Sequence, residues 1–135
     1  MLLQPYLFFE GRCEEAISFY QKAVGAKAGV INRFSDSPDP RTARPEMADK
    51  IMHAEIRIGD NVLLVSDGMS STGKPRFQGF SLSLQVSDAE EAERVFLALS
   101  DGANIQTPLT ETFFATRFAM LTDRFGLGWM IIARK

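Results

Sequence analysis

Cysteine, histidine and tryptophan each occur once in the 135 residues. The lone Cys13 excludes an intrachain disulfide, so nothing calls for an oxidising compartment and a cytoplasmic location is expected. The lone His53 excludes a metal site built on two histidines of one protomer. No stretch approaches the ~20 apolar residues of a membrane span, and no basic segment leads into a long apolar run at the amino terminus. No block of like charge accompanies the net charge of -2. That speaks against nucleic acid, whose binding depends on clustered cations that displace counterions, and against an anionic membrane surface.

What is present is an ordinary globular composition, 45% hydrophobic and 24% charged. A chain of this length suits one compact domain that buries roughly two thirds of its unfolded surface. Its main feature is a stretch that occurs twice. Glu14-Glu15-Ala16 runs on through Phe19-Tyr20 to Gly25, and Glu90-Glu91-Ala92 runs on through Val95-Phe96 to Gly102. Each reads as an amphipathic helix with acidic residues in its first turn, where the helix dipole favours them, and a glycine at its end.

An apolar strand over residues 2–9 precedes the first helix, interrupted by Pro5 and expected to be buried on both faces beyond it. Residues 27–34 read as a strand weakened by Gly29. The polar stretch 35–49, with Pro38, Pro40 and Pro45, has no hydrophobic period. A loop of that length points either to function or motion, or to a solvated connection or dimer contact. Residues 50–58 and 61–67 form a hairpin turned at Gly59-Asp60-Asn61, with His53, Glu55 and Arg57 alternating against Ala54, Ile56 and Ile58. The linker 68–77 leads to a strand at 78–86, then Ser87 and Glu90 as a capping box for the second helix. Three more strands are expected from Ile105 onwards, over 113–122 and over 127–134, the last two turned at Asp123-Arg124-Phe125-Gly126. Trp129, Phe34 and the phenylalanines of 113–118 read as core. The order is therefore β-α-β-β-β, twice. The helix copies stand farther apart in sequence than the turn copies at Asp60 and Asp123, and the 35–49 loop accounts for the extra residues.

In this order, Pro5-Tyr6-Leu7-Phe8-Phe9, Cys13-Glu14-Glu15-Ala16-Ile17, Phe19-Tyr20, His53-Ala54-Glu55 and Thr122-Asp123-Arg124-Phe125-Gly126 with Trp129 resemble the glyoxalase/bleomycin-resistance/dioxygenase (vicinal oxygen chelate) superfamily, in its PhnB-like branch. The resemblance spans the chain. It implies an α+β fold, one glyoxalase-like domain made of modules 1–70 and 76–135, with curved mixed sheets around a cleft and helices outside. It implies a homodimer and a small-molecule ligand, in a superfamily that hosts lyases, dioxygenases, isomerases and non-catalytic drug binders. Metal-using members hold a divalent ion with His and Glu side chains, and the corresponding positions here are Pro5, Ser81, Met130 and one near Val65. None of these is a credible ligand, so no cofactor and no metal of the family type is expected.

The ligand-contacting set that the resemblance points to is Leu7, Phe9, His53, Glu55, Arg57, Ser81, Ser83, Arg117 and Met130. His53 with Glu55 reads as a general base or polar anchor in the cup, or as part of a solvated strand face. Arg117 reads as a fork for a carboxylate or phosphonate, or as an ion-pair partner of Glu55 or Glu111. Ser81, Ser83 and Gln85 suit a wet pocket wall or a solvent-facing sheet. Cys13 reads as a small, partly buried residue. Two functions follow: a metal-free binding protein, or a lyase or dioxygenase with an atypical metal arrangement on His53 and Glu55. The sequence has no glycine-rich cofactor loop after a strand, so methyl transfer carries little weight.

Overall fold

A computed structural model describes residues 1–39 and 44–135, so part of the 35–49 loop, including Pro40, lies outside the described residues. The chain divides into two compact units, Met1–Pro75 and Arg76–Lys135. Each runs β-α-β-β-β, as the repeat in the sequence requires.

In the first unit β1 (Tyr6–Phe8) leads into α1 (Cys13–Val24), β2 (Lys27–Arg33), β3 (Ile51–Ile58) and β4 (Asn61–Ser66). The sheet order is β1-β4-β3-β2, with β1 parallel to β4 and the other pairs antiparallel. The stripe Ala16, Ile17, Tyr20 and Ala23 is buried, which turns one side of α1 to β2 and β3. Gly25 ends the helix in the left-handed conformation, φ 69°, where a side chain would be strained. Short 3-10 turns at Phe34–Asp36 and Pro45–Met47 flank the undescribed stretch, and Phe34 and Met47 are buried.

Alternation along the strands gives the sheet two unlike faces. Leu7, Val65 and Ala54 lie in register and are buried on the covered face. Tyr6 and Phe8 project the other way, 40% and 48% exposed. The expectation of a first strand buried on both faces is thus corrected: the helix covers only one side of this sheet.

Asp67 follows β4 and is buried. Its Oδ1 accepts from the Gly11 and Cys13 amides at 2.9 and 2.8 Å, and its Oδ2 from the Ile51 amide at 2.8 Å. One carboxylate thereby ties the start of α1 to the start of β3 and satisfies helix N–H groups that have no intrahelical acceptor. Burial first, then the charges of Asp67 and Glu14, push the Cys13 thiol far above its usual range. Because the folded value lies above the unfolded ~8.5, the neutral thiol's contribution to stability is complete below about pH 8.5 and is lost as pH rises toward the folded value. We expect stability above that pH to fall with a slope of up to ~1.4 kcal/mol per pH unit from this group, and Cys13→Ala to remove that part of the slope. Urea unfolding of both proteins across the alkaline range checks this; identical slopes would contradict it.

The second unit runs β5 (Leu82–Val86), α2 (Ala89–Leu99), β6 (Asn104–Thr110), β7 (Ala115–Thr122) and β8 (Gly128–Arg134), in sheet order β5-β8-β7-β6. Asp88, not Ser87, caps α2: its carboxylate accepts from the Glu91 amide at 2.9 Å. The stronger acceptor takes the cap, and the Ser87 hydroxyl turns to the Glu91 side chain at 3.3 Å. Trp129, Ile131 and Ala133 are buried in register with Leu121 and Ala119 on the covered face. The phenylalanines of 113–118 depart from the expected core. Phe113 is 91% exposed and Phe114 44%, in an edge-to-face chain with Phe118 at 5.2 Å spacing, because the β6–β7 connection carries the first two beyond the sheet.

Candidate functional site

The open face of the first unit's sheet brings together several of the polar side chains expected at the site. On β3 the residues Ala54 and Ile56 are buried, while Glu55 and Arg57 are exposed on the opposite side and His53 is half-buried. Register then fixes their neighbours: Asn32 beside His53, Leu64 beside Glu55, and Lys27 and Val62 on either side of Arg57.

The Tyr6 hydroxyl lies 2.8 Å from His53 Nδ1, and the Tyr6 ring stacks on Phe8 with centroids 5.0 Å apart. Burial pushes the phenol's pKa up, assisted by Cys13 and partly offset by a hydrogen bond with Ser66. The hydroxyl can donate to Nδ1 or accept from it, according to the imidazole tautomer. Either way the contact positions the imidazole ring on the open face.

At the β2–β3 end of the same sheet lies a hollow of about 140 Å³, lined by Lys27, Ala28, Gly29, Glu55, Ile56, Arg57 and Val62. Its charged groups have no ion-pair partner among the described residues, unlike the Arg33–Glu14 pair on the same unit at 2.8 Å.

Other expected site residues are placed differently. Leu7 and Phe9 are buried, 2% and 0% exposed, and Leu7 is in register with fully buried Val65. They belong to the core; Tyr6 and Phe8, one position away in β1, hold the open face instead. Arg117 is drawn to α2, with Nε 4.0 Å from the Glu93 carboxylate and Nη1 donating to the Thr116 carbonyl at 2.6 Å. A bulge between Ala115 and Arg117 sets it opposite Ala133, a covered-face position. Its expected partner Glu111 pairs with Lys135 at 3.5 Å. Ser83 and Met130 do lie side by side, on the open face of the second unit with Met120. Ser81 precedes β5, against Gly128, where a Cβ would come within 2.6 Å of its hydroxyl.

The positions that correspond to the superfamily's metal ligands do not fit an ion. Val65 is buried on the covered face, and the open-face neighbour in β4 is Leu64. The Pro5 carbonyl accepts from the Leu64 amide at 3.0 Å. With Ser81 and Met130 the remaining donors are a hydroxyl and a thioether, a poor set for a hard or borderline divalent ion. Among the described residues no three His, Cys, Asp or Glu side chains converge as a metal-holding group. No helix among them is long and apolar enough to cross a membrane.

The expected set does not contain Tyr6 and Phe8, which share this open face, or Lys27 and Gly29, which line the hollow. The available signal was parity: once Leu7 is assigned inward, Tyr6 and Phe8 must point outward. Lys27 and Gly29 had no such signal, because their place depends on the β2–β3 register.

The family model described as 3-demethylubiquinone-9 3-methyltransferase matches residues 2–132. Protein YjdN of Escherichia coli (strain K12) is 36% identical over 143 residues, covering 97% of this chain and 94% of that protein. Among solved structures, protein PA1353 from Pseudomonas aeruginosa is 40% identical with a TM-score of 0.86, covering 99% of this chain and 98% of that one. A putative 3-demethylubiquinone-9 3-methyltransferase, PhnB protein, from Bacillus cereus is 24% identical with a TM-score of 0.81, over 98% and 99%. A glyoxylase/bleomycin resistance protein/dioxygenase domain from Frankia sp. EAN1pec shares the fold alone, at 17% identity and a TM-score of 0.65 over 98% and 94%.

Proposed function

Because the chain belongs to the 3-demethylubiquinone-9 3-methyltransferase family, on a fold shared with glyoxylase and bleomycin-resistance proteins, we propose that it binds a small organic molecule without a metal of the superfamily's usual kind. The observation that carries this is the open face of the first sheet. There Tyr6 orients His53 at 2.8 Å, and Glu55 and Arg57 line a hollow of about 140 Å³. A hollow that sets a few polar groups beside apolar residues supports this reading. His53 is the polar anchor, or the general base if a reaction occurs. Ser83 and Met130 on the second unit's open face, with Ser81 just before β5, are proposed as ligand contacts of that unit.

The family's description speaks of methyl transfer. The four-stranded mixed sheets described here differ from the parallel sheet with a strand–glycine loop–helix that usually cradles a nucleotide-like cofactor. Binding is therefore the reading we favour. It includes two modules acting as one glyoxalase-like domain, a homodimer as the superfamily resemblance implies, and a cytoplasmic setting, which suits a buried, unpaired Cys13.

Native mass spectrometry of protein drawn directly from cells should show a bound small organic molecule. Once that molecule is identified, His53→Ala is expected to leave the fold intact and to weaken its binding about tenfold, the worth of one good hydrogen bond. Tyr6→Phe is expected to weaken it less, by freeing the ring's orientation. Unchanged affinity in His53→Ala would remove His53 as the anchor. Stoichiometric metal lost on the same substitution would instead favour the atypical lyase or dioxygenase.

A further inference from the structure

Lys27 and Arg57 are directly opposed on β2 and β3. Like charges at such a position repel, and sheets usually set opposite charges there. Both line the hollow, with Val62, the β4 partner of Arg57, forming an apolar wall. Glu55 is the one carboxylate lining it, and it forms no ion pair with either cation among the described residues, so positive charge is in surplus. Gly29 keeps the space above the sheet open. Its backbone does not require glycine, since a Cβ there would meet Glu55 at ordinary contact distances of 3.6 and 3.7 Å. What its bare Cα preserves is room.

We propose that this hollow holds the oxyanion of the bound molecule, a carboxylate or phosphate-type group. The Arg57 guanidinium can donate two parallel N–H bonds to such a group, and Lys27 adds a compact point charge from the neighbouring strand. Glu55 then accepts from a hydroxyl or ammonium next to the oxyanion, so the site selects an acid that also carries a hydrogen-bond donor. This assignment rests on the open face being the ligand site.

The test is NMR titration of the full-length protein with inorganic phosphate and, separately, with acetate, against sodium chloride at matched ionic strength. Saturable shifts centred on Lys27, Gly29 and Arg57 are expected for at least one of the two anions, and which one responds separates the phosphate-type from the carboxylate source. Binding should weaken at least tenfold in Arg57→Gln and in Lys27→Gln, persist in part in Arg57→Lys, and disappear in Gly29→Leu, which fills the hollow without changing charge. Amide spectra establish that each variant is folded. Responses to both anions no different from chloride, or saturable shifts indifferent to both Gln substitutions, would overturn the assignment. A small molecule that shifts Tyr6 and His53 but ignores the loss of both cations would preserve the binding proposal and end the oxyanion assignment. Anion binding at Lys27 and Arg57, with no organic molecule reaching His53, would support the assignment and count against the anchor.

Discussion

Asp67→Ala is expected to lower the stability of the chain by about 3–5 kcal/mol, most of what a small domain can spare. The substitution removes the acceptor of three backbone amides, those of Gly11, Cys13 and Ile51, from a carboxylate that is 1% exposed. Water cannot readily replace it, and each buried N–H left unmet costs roughly 1–3 kcal/mol. The anion also stands at the start of α1, where the helix dipole favours it. For a chain of this size the midpoint of thermal unfolding should fall by about 10–20 °C. Asp67→Asn should lie between, because the amide oxygen still accepts while its NH2 meets an amide that also donates. Trp129 is the only tryptophan, so its fluorescence follows unfolding directly. Amide exchange at Gly11, Cys13 and Ile51 should quicken ahead of the rest of the unit. A loss below about 1 kcal/mol in Asp67→Ala would show that the three amides find other partners.

In the second unit the second large effect is expected at Trp129, which is bonded to a buried carboxylate, Asp123. Its ring is 2% exposed, and its Nε1 donates to Asp123 Oδ2 at 2.9 Å. Asp123 Oδ1 accepts from the Phe125 and Leu127 amides at 2.9 and 3.1 Å, which closes the β7–β8 turn. Trp129→Ala is expected to cost about 3–5 kcal/mol, from lost burial, the cavity left behind and the lost hydrogen bond to Asp123. Trp129→Phe keeps most of the apolar volume and should cost about 1–3 kcal/mol, mainly the missing hydrogen bond. Circular dichroism during urea unfolding measures both. If Trp129→Phe costs as much as Trp129→Ala, the hydrogen bond outweighs the ring. If it costs nothing, Asp123 is satisfied without it.

Neither carboxylate was singled out in the sequence for this task. Asp123 was legible as a turn residue, because Asp-Arg-Phe-Gly between two apolar runs marks a hairpin. Its second duty toward Trp129 depends on how β8 returns beside β7. Asp67 looked like the end of a strand. That it reaches the amides of Gly11 and Cys13 follows from β1 lying parallel to β4, a pairing between segments far apart in the chain. The second helix is legible from the spacing of Ala92, Phe96 and Leu99; Ser87 and Asp88 are both good caps by residue type, and the structure gives the cap to the stronger acceptor, Asp88.

The doubled β-α-β-β-β order, the helix stripes, the hairpin at Gly59-Asp60-Asn61 and the single histidine and cysteine can all be read directly from the residues. Those features rest on short-range periodicity and on which side chains exist at all. Tertiary structure alone decided that Leu7 and Phe9 face the core while Tyr6 meets His53, that Arg117 turns to Glu93, and that Lys27 stands opposite Arg57. The reason is that a strand's pattern says which residues share a face, whereas the register and the side the helix covers say which face is left for a ligand.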